Sequence, residues 1–161
     1  MSLGHARCIA IGFLFVLPGT AFAQMPNAYG PPISVEIAKK VAAPAIAEAT
    51  KNNWTIAVAI VDPSGNLVYY EKMDNTQLGS ARISVEKAAT AAKFKRPTQA
   101  FQDALAKGAE NLRILTLSGV VAAEGGIPLL IEGKIVGAIG ASGMTSAQDN
   151  QCAKAGADSL K

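Results

Sequence analysis

The order of apolar and polar residues predicts an α+β domain, with one antiparallel sheet of about five strands flanked by helices. Two observations lead there. Two pairs of apolar runs are each joined by a short turn, Asp62-Pro63-Ser64-Gly65 in the first and Glu132-Gly133-Lys134 in the second, which is the pattern of β-hairpins. Stretches rich in Ala, Lys, Glu and Gln lie before, between and after these pairs. Hairpins make antiparallel neighbours, and the helices must then cover the sheet.

The chain opens on a different kind of segment. Arg7 and His5 precede an apolar run from Cys8 to Leu17, followed by Pro18, Gly19 and the triplet Ala21-Phe22-Ala23. That order matches a secretory signal peptide over residues 1–23, cleaved after Ala23. The run falls short of the about 20 residues that cross a bilayer, so a retained anchor is the weaker reading. A periplasmic or secreted protein is expected, with no membrane attachment after cleavage. Removing Arg7 lowers the formal charge from +3 to +2. So small a positive balance argues against a nucleic-acid partner. Residues 24–161 hold a single cysteine, Cys152. It pairs between chains, binds a ligand or is buried, and burial is the favoured reading.

Residues 24–33 carry Pro26, Pro31, Pro32 and Gly30 and read as an extended arm. The domain proper spans 34–161. From Ser34, a helix cap, the apolar residues Ile37, Val41 and Ala45 recur every four positions and predict an amphipathic helix, with a kink at Pro44. Trp54 to Val61 is apolar on both faces and should be a central strand. Leu67 to Met73 completes the first hairpin. Helices are expected over Ser80–Phe94 and Thr98–Lys107, parted by Pro97, with a short further turn over Asn111–Leu117. Val120–Ala123 reads as a strand, Ile127–Ile131 and Ile135–Ala141 as the second hairpin. A last helix begins near Ser146, with Asp149 closing a capping box.

Few residue clusters point to chemistry. Gly137 to Gly143 is glycine-rich between a strand and a helix, but the chain ends before the further strand and acid that a dinucleotide site requires. Ser84-Val85-Glu86-Lys87 matches S-x-x-K without its partner motifs, and reads as helix surface. The only histidine is His5, inside the leader, so no histidine-based triad or metal site can form. Turn and cap roles account for Asp62 and Asp149. Asp74 and Glu124 are less explained and are the candidate catalytic acids. Lys93, Lys95 and Arg96 cluster around Phe94, where a ligand's carboxylates would be received.

An ordered series of motifs resembles one family. It comprises Val61-Asp62-Pro63-Ser64-Gly65, Glu71-Lys72-Met73-Asp74, Lys87-Ala88-Ala89-Thr90-Ala91 with Phe94 and Thr98, and Gly125-Gly126-Ile127-Pro128. It continues with Glu132-Gly133-Lys134 to Gly140, then Ser142-Gly143 ahead of Gln148-Asp149. The chain resembles the haem-binding GlcG/HbpS family, related to the C-terminal domain of PduO, from about Ser34 onward. The resemblance implies a profilin-like α/β/α domain, homo-oligomers, often octamers, and haem as cofactor. It marks Met73, Tyr70, Lys93, Arg96, Gly126, Ser142, Met144 and Asp149 as candidate cofactor-binding residues.

Two departures bear on this. The family's usual Arg-Met-Asp-Gly stretch is Lys72-Met73-Asp74-Asn75 here. Without a histidine, ligation of haem iron falls to Met73 or Met144, to Tyr69 or Tyr70, to a Thr, a Lys or Cys152, or is weak. The first functional expectation is therefore an exported haem-binding protein. The alternative is a small-molecule-binding protein or enzyme acting on a non-haem substrate, with Asp74 or Glu124 beside Gly126, Ser142 and Asp149.

Overall fold

The computed structural model describes residue 1 and residues 27–160. The predicted leader, apart from Met1, falls outside them. In chain order the elements are helix α1 (Val35–Lys51), strands β1 (Ala57–Val61) and β2 (Leu67–Lys72), and helices α2 (Ser80–Phe94) and α3 (Gln99–Ala106). A 3-10 helix (Ala109–Thr116), strands β3 (Gly126–Ile131) and β4 (Lys134–Ser142), and helix α4 (Ser146–Asp158) complete the chain. The sheet is antiparallel in the order β2-β1-β4-β3. It has four strands, one fewer than expected.

Val120–Ala123 is the strand that does not form. Its backbone is held by side chains of the helices: Val121 N–H donates to Thr90 Oγ1 at 3.0 Å, and Glu124 N–H to Gln102 Oε1 at 3.1 Å. With these donors bonded to side chains, the segment runs as a loop. The arm supplies part of what is missing. Ile135 N–H donates to Ala28 O, Gly30 N–H to Ile135 O and Ile33 N–H to Val136 O, each at 2.8 Å. The arm thus runs parallel beside the start of β4, where β1 has ended.

Helix α1 begins where Ser34 Oγ accepts from Ile37 N–H at 3.3 Å, and it runs unbroken through Pro44. Its buried stripe, Ala38, Val41, Ala42, Ala45 and Ala49, packs with Cys152 and Ala153 of α4 against one face of the sheet. Strand β1 is wholly buried, as both apolar faces required. The first hairpin turns on Asp62, whose Oδ1 accepts from Asn66 N–H at 2.9 Å. Asn75 adopts φ 62°, the left-handed conformation that Asn tolerates, so the turn keeps its course where the family pattern has glycine.

Among the described helices, α2 is the one that packs across the other face. Val61, Ala88, Ala91, Ala92 and Ala138 form a second, smaller cluster there. Such small residues let the helix settle directly on strand backbone. A Cβ at Gly140 would run into Ser84 O and Ala88 N. The result is three layers, α1 and α4, the sheet, then α2.

Gly140→Ala tests this close seating. Overpacking a tight site costs about 1–3 kcal/mol, so the urea midpoint should fall accordingly with an unchanged m-value.

Candidate functional site

Helix α2 and helix α4 lie on opposite faces, yet two of their side chains meet around the corner of the sheet. Lys87 Nζ donates to Asp149 Oδ2 at 2.7 Å and to Ala141 O at 3.1 Å. Both side chains are only 3% exposed. Asp149 Oδ1 accepts from Met144 N–H at 2.9 Å, and Gly143 N–H adds a further bond. Burial pushes the Asp149 carboxyl above the usual aspartate value, against the opposing pull of Lys87 and these amides. Gly125 makes the passage possible. It has φ +113°, and a Cβ there would stand 2.6 Å from Ala141 O, 3.0 Å from Asp149 Cβ and 3.1 Å from Lys87 Nζ.

These contacts correct two readings of the sequence. Ser84 and Lys87 are 0% and 2% exposed, so they are interior residues of α2, not helix surface. Asp149 does not close a capping box. The cap is Thr145, whose Oγ1 accepts from Gln148 N–H while Gln148 Oε1 accepts from Thr145 N–H. One position later, Asp149 turns inward with Cys152, Ala153 and Gly156. The signal for Lys87 was present: Ser80, Ser84, Lys87, Ala88 and Ala91 recur at helical spacing among residues too small to be a solvated face.

A groove of about 410 Å³ runs beside this corner. Ile127, Pro128 and Leu130 of the edge strand β3 form its floor with Ile135. Asn150, Lys154 and Ala157 of α4 form one wall, and Lys95 and Pro97 stand across from them. Lys95 caps α2 in the left-handed conformation, and its Nζ sits 4.2 Å from the centre of the Tyr29 ring. Lys154 is ion-paired with Asp158. Apolar walls with a few charged groups at the rim, within the about 300–1,000 Å³ of small-molecule sites, suit a large apolar ligand bearing acids.

The structure separates the three basic residues that the sequence grouped. Only Lys95 lines the groove. Arg96 lies 5.4 Å over the Phe101 ring, donates to Phe94 O at 3.2 Å and lines a different cavity of about 470 Å³. Lys93 lies over the first hairpin turn, against Gly65. Met73 and Met144 pack against the main core near Ile56. Tyr70 is on β2, the edge opposite β3, and burial pushes its phenol up. Tyr69 donates to Glu71 Oε2 at 2.8 Å, which raises its pKa.

Gly126 exchanges bonds with Thr98, whose Oγ1 accepts from Gly126 N–H at 2.9 Å. Ser142 is buried at the end of β4. Glu124 is held by Gln102 Nε2 at 2.8 Å, and Asp74 is exposed in the turn after β2. Cys152 is buried as expected, and burial together with Asp149 and Glu48 pushes its thiol up to about 11. Lys154, Asn150 and Tyr29 were not anticipated, because the groove forms only when residues far apart in sequence converge.

The family described as "Haem degrading protein HbpS-like" matches residues 33–158. The chain belongs to this family. Among its relatives, protein GlcG of Escherichia coli K12 is 38% identical over 110 residues, covering 68% of this chain and 81% of that one. An uncharacterised 15.0 kDa protein of Citrobacter freundii is 34% identical over 128 residues, covering 78% and 90%. Among solved structures, HbpS shares 28% identity with a TM-score of 0.75, covering 91% of this chain and 99% of that one. PduOC, solved as a haem complex, shares 26% with a TM-score of 0.73, covering 81% and 96%. These solved structures share the α+β fold described above.

Removing one partner of a buried ion pair costs about 3–5 kcal/mol, while replacing both with apolar groups is far milder. Lys87→Met and Asp149→Leu should each lower stability by that amount. The double variant should recover most of the loss, remaining somewhat below the parent because Met144 and Gly143 lose their acceptor. Urea melts of the three variants give the cycle.

Proposed function

We propose that this chain is an exported haem-binding protein whose ligand lies in the groove between β3, α4 and the end of α2. The observation that carries the reading is the groove's lining. Ile127, Pro128, Leu130 and Ile135 offer apolar surface to the faces of a porphyrin, and Lys95 and Lys154 stand where its two carboxylates would emerge. Membership of the HbpS-like family and the haem complex of PduOC support the choice of ligand.

The residues present fit one part of haem and not another. The ring and the propionates have partners, but among the described residues none of the groove's side chains is a histidine, cysteine, methionine or tyrosine, the usual protein ligands of haem iron. Bound haem would bring its iron chemistry to the groove. The chain's own residues would enclose the ring, pair its acids and exclude water. The ammonium groups of Lys95 and Lys154 suit the second task as donors of charge-assisted hydrogen bonds to carboxylates.

Titrating the full chain with haemin should give saturable binding at micromolar concentration, read from the Soret band. Leu130 is 39% exposed, so Leu130→Glu should leave stability nearly unchanged. It would set a carboxylate against the propionates and weaken binding by about tenfold, roughly 1.4 kcal/mol. Arg96→Ala, which alters the other cavity, should bind haemin as the parent does.

Export rests on the leader, whose Arg7, apolar run and Ala21-Phe22-Ala23 have the order that signal peptidase reads. No helix among the described residues is long and apolar enough to cross a membrane. Protein recovered from outside the cytoplasm should begin at Gln24 on N-terminal sequencing. Recovery of the chain only from the cytoplasm, with an intact Met1 terminus, would remove the export reading.

A further inference from the structure

We infer that the groove recognises a tetrapyrrole by its ring and its carboxylates and not through its metal, so that metal-free porphyrin is as good a ligand as haemin. The inference rests on the haem-binding reading above and narrows it to a ligand class.

Among the described residues, the four kinds of side chain that ordinarily hold haem iron are each accounted for elsewhere; Met25, two residues before Asn27, lies outside them. The chain has one histidine, His5, which lies in the proposed leader, and a second copy of the same sequence brings no other. Cys152 is fully buried in the core beneath α4, where neither iron nor ring can reach it. Met73 and Met144 pack into that same core at the Ile56 end of the sheet. Tyr69 and Tyr70 belong to β2, which the two strands β1 and β4 separate from β3 in the sheet.

One tyrosine comes near. Tyr29 is in the arm, under Lys95, but its hydroxyl donates to Ala92 O at 3.0 Å and Lys93 O at 3.1 Å. The ring is held by the cation above it. Freeing the oxygen for iron would break these contacts together.

What the groove does present is apolar surface for a flat body, with Lys95 and Lys154 at its rim, the latter shared with the Asp158 carboxylate, for the ligand's acids. Its two ammonium groups donate hydrogen bonds to carboxylates and, while protonated, have no lone pair for a metal. Asn27 and Asn150 add neutral amides at the rim. Nothing in this set distinguishes an iron porphyrin from an empty one.

The test compares three probes on the full chain: haemin, protoporphyrin IX, and protoporphyrin IX dimethyl ester. Binding is followed by absorbance and by quenching of Trp54. Haemin and protoporphyrin IX should bind with Kd values within about threefold of each other, and neither His5→Ala nor Met25→Ala should change either value. The diester should bind about tenfold more weakly, since it forfeits two solvent-accessible charge pairs, each worth a few-fold. The double variant Lys95→Ala/Lys154→Ala should bind the free acid no better than the diester. Haemin binding tenfold or more tighter than protoporphyrin IX would overturn the inference while leaving the haem reading intact. Failure of all three probes to bind would remove the haem reading and this inference with it.

Discussion

The passage of one ion pair around the corner of the sheet governs the arrangement of the rest. Lys87 comes from the layer on one face and Asp149 from the layer on the other, and they meet beside Gly125 at the entry to β3. An isolated buried charge is too costly to keep, so neither helix can slide or rotate without exposing or abandoning its partner. The second bond of Lys87, to Ala141 O, ties the end of β4 into the same point. Asp149 in turn fixes Gly143 and Met144, the connection into α4. Buried pairs are weak sources of net stability but strong constraints on arrangement. This one sets the register of three elements.

Two of those elements, α2 and α4, also wall the groove, together with β3. Lys95 ends the helix that carries Lys87, β3 begins directly after Gly125, and Asn150 follows Asp149 with Lys154 and Ala157 one and two turns further on. The clamp closes one end of this assembly, and the groove opens along the remainder. A buried, fully engaged pair and an accessible, apolar cleft therefore have different work. The first holds the frame, and the second is where a ligand fits.

Much of the fold could be read from the residues because it is local. Hairpin turns at Asp62–Gly65 and Glu132–Lys134, the Ser34 cap and the alanine-rich span of α2 each depend on neighbours within a few positions. The mistakes arose where distant residues compete for the same groups. Val120–Ala123 has strand-like composition, but Thr90 and Gln102 occupy backbone donors that a strand would pair. Asp149 satisfies a capping pattern, yet the cap lies at Thr145, which leaves Asp149 one residue inside the first turn and facing Lys87. The site was legible in its types of residue more than in its members. Lys93, Lys95 and Arg96 are consecutive in motif but diverge in space, because Lys95 leaves α2 in a left-handed turn.

The arm has a consequence in the order of folding. Its partner is the beginning of β4, so Ala28 and Ile135 must find each other across almost the whole described chain. Contacts of such long sequence separation form slowly, since the intervening loop must close before they are rewarded. During synthesis the arm has nothing to dock on until the second hairpin has been made. The segment that follows the proposed leader would thus be among the last to lock, leaving the chain's start accessible while the remainder is still emerging.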